Sequence, residues 1–396
     1  MRPAKESGVA LEGGAAQEAG FIPMLDLARQ QERISGRLYD AVLGAMANAV
    51  YISPERTTPF EEKLARYCGT THAVGVGSGT AALHLALAAC GIGPGHEVVT
   101  VPNSFFASAE AIITVGASPR FVDVDRDTHL LALDDLPRAI TENTRAVLPV
   151  HLYGNVVDVA GIRRVLDDLG HQDVKIIEDC AHAMGARQRG QPVPLGTVGA
   201  CSFNPGKNIG ALGDGGAIVT SDVEIAEKAR LMRDHGRSEK NTHVIAGFNS
   251  RLSRINDRVL AVKIDYLDEW NARRREIAGK YDAALRSSSL ITPLRTLREC
   301  ESAYYQYVVS TGSRDRLRDH LRALGIASAV HYPRLIPEQE PLRRLGHSLD
   351  ELPRARYLSP RILSLPCHPE LSDSEVDRVV EALAAFLAAG EGGEAV

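Results

Sequence analysis

The sequence predicts an α/β protein in two parts, a larger domain on a mostly parallel sheet and a smaller C-terminal α+β domain. Three observations predict it. From about residue 70 to 235, short runs rich in valine and isoleucine alternate with amphipathic stretches, the pattern of strands joined by helical crossovers. Near residue 259 that alternation gives way to a long helical pattern followed by separate strand and helix segments. A chain of 396 residues with 44% hydrophobic content can also bury a large core, and its size favours more than one domain.

Taken in order, residues 1–20 hold Glu6, Glu12 and Glu18 and lack an apolar core of signal-peptide length, so they read as a flexible extension. Ile34, Leu38, Val42, Met46 and Val50 recur every fourth residue and predict an N-terminal helix packed back on the body. HAVGV, EVVTV, PRFVDV, RAVLPV and VKIIED read as buried strands, with TAALHLALAAC, FASAEAII and AGIRRVLDDLG as helices between them. Sheets of this kind take ligands at the carboxyl ends of their strands. From residue 259, VLAVKIDYLDEWNARRREIAGKYDAAL predicts one long helix. YYQYVVST and RILSLP then predict strands, DRLRDHLRALG a helix, and Ser372-Asp-Ser-Glu375 a capping box that opens the last helix. The expected division is 21–258 for the large domain, 259–390 for the small one and 391–396 for a flexible tail.

A formal net charge of -5 offers no bulk attraction to nucleic acid or anionic lipid. The densest basic run, Arg273 to Arg275, shares its stretch with Asp268, Glu269 and Glu276 and reads as a solvated helix face. No run is long and apolar enough to span a bilayer. Neither a nucleic acid nor a membrane is therefore an expected partner. The six cysteines are scattered without a CxxC pair or metal-ligand spacing, which predicts reduced core residues in a cytoplasmic protein and no metal site.

Only eight of the 45 basic residues are lysines, and one of them, Lys207, stands in the glycine-rich run CSFNPGKNIGALGDGG at 201–216. This is not a phosphate-binding P-loop, which would need glycine in place of Cys201 and a hydroxyl residue in place of Asn208. Nor is Gly75-Val-Gly77-Ser-Gly79-Thr80 a dinucleotide fingerprint, because Thr80 stands where the third glycine belongs. What remains at Gly79-Thr80-Ala81-Ala82 is a helix start with small side chains, free N–H groups and a hydroxyl. That is an anion site by geometry, and taken alone it is also an ordinary N-cap. Asp179 ends the strand VKIIED at the ligand edge, where a carboxylate can keep a heteroaromatic nitrogen protonated or serve a turn. His182, three residues on, can hydrogen-bond the same ligand. A phosphate cradle, a strand-end carboxylate and a lysine on a flexible loop are the parts that hold pyridoxal phosphate as a Schiff base. The alternative is a glycine-rich turn carrying a surface lysine.

Over most of its length the sequence resembles the DegT/DnrJ/StrS aminotransferases, fold-type I pyridoxal phosphate enzymes. The resemblance rests on GSGTAALHLAL, GIGPGHEVVTVPNSFFASAEAI, GASPRFVDVD, VLPVHLYGN, IIEDCAHAMGA, CSFNPGKNIGALGDGGAIVT, DHG, GFNSRL, HYP and SLPCHP, in that order between residues 21 and 372. It implies a seven-stranded sheet in the large domain. It implies that Lys207 bonds the cofactor and then shuttles the proton, that Asp179 pairs with the pyridine nitrogen, that Phe105 stacks on the ring and that His182 meets the ring hydroxyl. The phosphate would be held at Gly79, by Thr80, the Ala81 backbone and Ser202, and by Asn249 of the neighbouring subunit in a homodimer with shared sites. Arg251, His331 and Tyr332 are candidates for the substrate.

The family aminates keto sugars, mostly nucleotide-linked, and the GFNSRL element is similar to that of members acting on a C3 ketone. The expected reaction moves an amino group from glutamate or glutamine to a dTDP-linked 3-keto-6-deoxyhexose in an antibiotic pathway. A 4-keto nucleotide sugar or a ketocyclitol is the alternative. A sugar dehydratase, which in this family has histidine in place of Lys207, and a non-catalytic cofactor-binding regulator are further readings. The chain departs from the family pattern in two places: His182 and Met184 replace glutamine and histidine, the second changing the pocket, and Ser253 to Arg258 replace DELQAA in a subunit-facing stretch.

Overall fold

Seven strands form the central sheet: β1 (His72–Val76), β2 (Glu97–Thr100), β3 (Ser118–Phe121), β4 (Thr144–Leu148), β5 (Lys175–Asp179), β6 (Val198–Ser202) and β7 (Gly216–Thr220). They lie in the order β1-β7-β6-β5-β4-β2-β3. Four of the six pairings are parallel, and only β7 runs against its neighbours. The expected α/β class with a mostly parallel sheet is thus the observed one. The structure, a computed structural model, describes residues 20–391 apart from 54, 345 and 347. Apart from Gly20 and Glu391, the extension and tail expected to be flexible lie outside the described residues.

Crossover helices cover the sheet because their apolar faces need burial. Helix Gly79–Ala89 is capped by Ser78 and buries Leu83, Leu85, Ala86 and Leu87, and helix Val159–Asp168 is capped by Asp158. The main core runs through Val74, Val98, Val147, Ile177 and Ile218 of the strands. The fourth-residue stripe near the N-terminus does form a helix, Ser35–Ala47. Ile34 and Leu38 pack on Val259 and Trp270, whereas Met46 points outward and is 52% exposed.

The long helix expected from 259 is two helices, Arg254–Lys263 and Leu267–Leu285, separated by a single tight turn at Ile264–Tyr266. Beside the turn, the Lys63 ammonium donates to the carbonyl of Ala261 at 2.8 Å and pairs with Asp265 at 2.7 Å. The division expected at 258/259 falls inside the first of these helices. Beyond it, strands Thr292–Pro293, Tyr307–Ser310 and Ile362–Leu365 form a three-stranded antiparallel sheet covered by helices Leu267–Leu285, Arg314–Ala323 and Asp373–Glu391. The last helix opens on the expected capping box: Ser372 Oγ accepts from the Glu375 N–H at 3.2 Å, and the Glu375 carboxylate accepts from the Ser372 N–H at 2.8 Å.

Candidate active site

Lys207 lies between the end of β6 and the start of β7, in a loop that the fold fastens rather than leaves flexible. Gly210 is glycine of necessity, since a Cβ there would stand 2.3 Å from the Pro205 carbonyl oxygen. Lys263, 1% exposed, donates to the Gly210 carbonyl at 2.7 Å. Asn256 donates to the Asp214 carbonyl at 2.9 Å and accepts from the Leu212 N–H at 3.2 Å. On the other side, Asn208 donates to Asn271 at 2.7 Å and to the Ala303 carbonyl at 2.8 Å. The stretch expected to face another subunit thus turns two residues inward, with Asn256 on this loop and Asp257 accepting from the Thr58 hydroxyl.

The Lys207 amine sits over the Tyr305 ring, 4.4 Å from its centroid. Burial pushes the ammonium down to about 8, with the Asp179 charge opposing. A lowered value means more neutral amine, and the neutral amine is the nucleophile. Competitive labelling of the cofactor-free protein with an acylating reagent should therefore give a Lys207 midpoint near pH 8. In urea the midpoint should move up towards about 10.4, the unperturbed lysine value. A folded-state midpoint as high as the unfolded one would refute the desolvated setting.

Asp179 closes β5 and is 6% exposed. One carboxylate oxygen accepts from the Ser108 hydroxyl at 2.9 Å and the other from the Ala181 N–H at 3.1 Å. Burial raises its pKa, while the Ala181 and Ser108 donors and the Lys207 charge pull it down. Behind it, the fully buried pair His151 and Glu178 meet at 2.7 Å, and Glu178 also accepts from the Leu195 and Gly196 N–H groups. With Cys180 this pair forms a cluster of metal-ligand type that the sequence spacing did not suggest. His151 has no lone pair to spare, because Nδ1 accepts from the Val157 N–H at 3.1 Å and Nε2 faces Glu178. The cluster reads as a hydrogen-bonded strut.

His182 packs against Tyr305 with the rings tilted by 35° and 4.3 Å between centroids, and its Nδ1 accepts from the Tyr153 N–H at 3.2 Å. Burial, helped by the Lys207 and His331 charges, holds its pKa well below the usual histidine value. The neutral ring therefore carries its proton on Nε2. The Tyr153 hydroxyl donates to the His331 carbonyl, so one residue ties the strand-end histidine to the His331–Tyr332 segment. His331 Nδ1 meets Ser364 at 2.8 Å, and Tyr332 lies 5.6 Å from the 55%-exposed Phe105 ring. Met184 is 2% exposed and packs in a core cluster with Phe60, Leu64 and Phe203, so the expectation that it changes the pocket is corrected: its side chain belongs to the core.

At the start of helix Gly79–Ala89, a Cβ on Gly79 would stand 2.5 Å from Ser202 Cβ and 2.8 Å from its Oγ. Glycine thus lets a buried hydroxyl approach the positive end of the helix, beside Thr80. The Ala81 N–H, expected to hold a phosphate, is instead turned to Ser78 Oγ at 3.1 Å. The segment holding Asn249 and Arg251 packs beside the turn into this helix, with Ser250 Oγ accepting from the Gly77 N–H at 3.3 Å. Asn249 is exposed and accepts from Arg251 at 2.7 Å, and Arg251 also pairs with Asp234 at 2.7 Å. Arg251 lines a cavity of about 520 Å³ whose walls include neither Lys207, Asp179 nor His182.

Sequence reasoning missed Ser108, Tyr153, Tyr305, Asn208 and Lys263. Two signals were available: Asn208 adjoins the lysine, and Ser108 stands one helical turn after Ser104 in NSFFAS. Tyr153 and Tyr305 come together only through chain topology, as the Tyr153 carbonyl accepts from the Gln306 N–H at 3.1 Å.

The comparisons with known proteins agree on the family. The model of the DegT/DnrJ/EryC1/StrS aminotransferase family matches residues 33–384. The dTDP-3-amino-3,4,6-trideoxy-alpha-D-glucose transaminase of Streptomyces venezuelae is 39% identical, over 92% of this chain and 96% of its own. The crystal structure of S. venezuelae DesV in complex with a ketimine intermediate superposes with a TM-score of 0.90 at 38% identity, covering 93% of this chain and 98% of that one. A pleiotropic regulatory protein of Geobacillus stearothermophilus is 38% identical over 92% of this chain and 98% of its own.

Proposed function

We propose a substrate and a set of residue roles for a chain that belongs to the DegT/DnrJ/EryC1/StrS aminotransferase family and is a pyridoxal phosphate-dependent aminotransferase. It moves an amino group from glutamate or glutamine to a keto sugar carried on a nucleotide, a dTDP-linked 3-keto-6-deoxyhexose of an antibiotic pathway. The observation that carries the chemistry is that the Lys207 amine and the His182 ring meet at one contact, the Tyr305 ring, beside the buried carboxylate that ends β5. The sugar reading is supported by the 39% identity to the S. venezuelae transaminase.

The residues fit the cofactor. Gly79 leaves the space that a Cβ would fill beside Ser202, at a helix terminus suited to phosphate. Bound there, the cofactor supplies an aldehyde and a protonated ring that accepts the electron pair released at the donor's α-carbon. Lys207 presents its neutral amine to the aldehyde and later takes and returns the proton between carbons. Asp179 keeps the proton on the ring nitrogen. His182 offers its Nε2–H to the ring hydroxyl, Phe105 covers one ring face, and Ser202 with Thr80 and the helix start binds phosphate. His331 and Tyr332, held by Tyr153, line the sugar side.

A homodimer with shared sites is part of the same reading. Asn249 is exposed, Arg251 lines a cavity whose walls do not include Lys207, and exposed Tyr51, Ile52, Leu212, Val244, Ile245 and Phe248 supply apolar area for a second copy. Six free cysteines support a cytoplasmic location.

Two steps test the proposal. Glutamate or glutamine added to the loaded protein should convert the cofactor's absorbance to that of its amine form. The reverse reaction with 2-oxoglutarate, run on a panel of 3-amino and 4-amino sugar nucleotides and aminocyclitols, should be fastest with a dTDP-3-amino-6-deoxyhexose. An unchanged spectrum with both donors would favour a cofactor-binding regulator, the reading suggested by the name of the Geobacillus relative. A faster rate with a 4-amino sugar or an aminocyclitol would move the substrate assignment there.

A further inference from the structure

Ser104 and Ser108 lie one helical turn apart around the start of helix Ala107–Thr114, on the segment that also presents Phe105. They are 3% and 1% exposed. Ser104 Oγ lies 3.0 Å from Ser108 Oγ, and Ser108 Oγ lies 2.9 Å from Asp179 Oδ2. Each hydroxyl has one proton. Ser108 spends its proton on the carboxylate, and Ser104, whose other acceptor, the Phe105 carbonyl, is 3.3 Å away, has Ser108 as its nearer partner.

We propose that Ser108, polarised by Ser104, is a positioning residue that orients the Asp179 carboxylate and weakens its basicity, so that the shared proton stays on the cofactor's ring nitrogen. The inference rests on the reading of Asp179 as that nitrogen's partner.

A hydroxyl donated to a carboxylate favours its charged form, and a second hydroxyl donating to the first strengthens the effect. The Ser108 bond fixes one oxygen and the Ala181 N–H the other, so the carboxylate plane is set before any ligand arrives. Without Ser108 a buried carboxylate holds a proton more tightly. Facing a ring nitrogen, it would draw the shared proton towards itself, and the ring would lose the positive charge that makes it an electron sink.

Three variants test this. In the cofactor-free protein, the Asp179 carboxyl followed by carbon-13 NMR should titrate about one pH unit higher in Ser108→Ala than in the parent. In the loaded protein, Ser108→Ala should lower the first half-reaction's limiting rate about tenfold with the donor's KM unchanged. Ser108→Thr, which keeps the hydroxyl, should restore both readouts, and Ser104→Ala should show a smaller change in the same direction. A folded Ser108→Ala protein that titrates and turns over like the parent overturns the proposal, and so do equal effects of alanine and threonine at 108. Asp179→Asn separates this inference from the reading beneath it. If that variant turns over normally, the role of Asp179 fails. If it is inactive while Ser108→Ala is silent, only the present inference fails.

Discussion

Lys207→Ala is expected to lower overall turnover by at least about 10³-fold while leaving the far-ultraviolet circular dichroism unchanged. The loss is large because this amine is the nucleophile and the proton carrier of the proposed mechanism. Among the described residues, the lysine that is closed off from solvent, Lys263, is committed to the Gly210 carbonyl and to Gln30. The fold should survive because the loop's fastenings come from Lys263, Asn256 and Asn208 and none uses the Lys207 side chain. Its amine lies over the Tyr305 ring. Burying an amine without a close anionic partner costs stability, so the cofactor-free alanine variant should be no less stable than its parent. Borohydride reduction of the loaded parent followed by peptide mapping should place the adduct on Lys207 and nowhere else. Residual turnover within tenfold of the parent, or an adduct on another lysine, would remove the foundation of the proposed mechanism.

The division between what the sequence carried and what it did not has physical causes. Strand and helix alternation is a local pattern, so β1 to β5 of the central sheet were legible from valine and isoleucine runs, whereas β6, with Gly199, Ala200 and Cys201 at its centre, was not. Nor was the sheet's one antiparallel strand, β7, because reversal depends on which edge the chain returns to. The break at Ile264–Tyr266 was missed because no glycine or proline marks it in the stretch VLAVKIDYLDEW. At the site, Lys207, Asp179 and the Gly79 helix start stood out by residue type and position. The hydroxyl on Asp179, the Tyr153 bridge and the Tyr305 ring beneath the amine depend on distant segments meeting. The loop's glycines misled for a related reason: glycine signals close backbone approach as often as mobility, and at Gly210 the approach is to Pro205.

Asp179→Ala should be the second severe loss, a fall of about 10³-fold or more in turnover, with a pH signature that Lys207→Ala lacks. A negative charge beside a heteroaromatic cation raises the cation's pKa, so in the parent the ring stays protonated across neutral pH. Without the carboxylate the ring nitrogen titrates at lower pH. The protonated fraction, and with it the residual rate, should then climb as the pH falls from 8 to 6, whereas the parent's limiting rate should show no such acid rescue. Stability changes by two opposing effects. Burial raises the Asp179 pKa in the cofactor-free protein, so above the unfolded value of about 4 the ionised group weakens the fold, and that penalty disappears in the variant. The substitution also leaves the Ser108 hydroxyl and the Ala181 N–H without their acceptor, which works the other way. Asp179→Asn keeps the shape and loses the charge, so it should match the alanine variant in rate and in acid rescue if charge is what matters. An asparagine variant with near-parent turnover, or an alanine variant whose residual rate is flat between pH 6 and 8, would show that the carboxylate does not govern the ring proton.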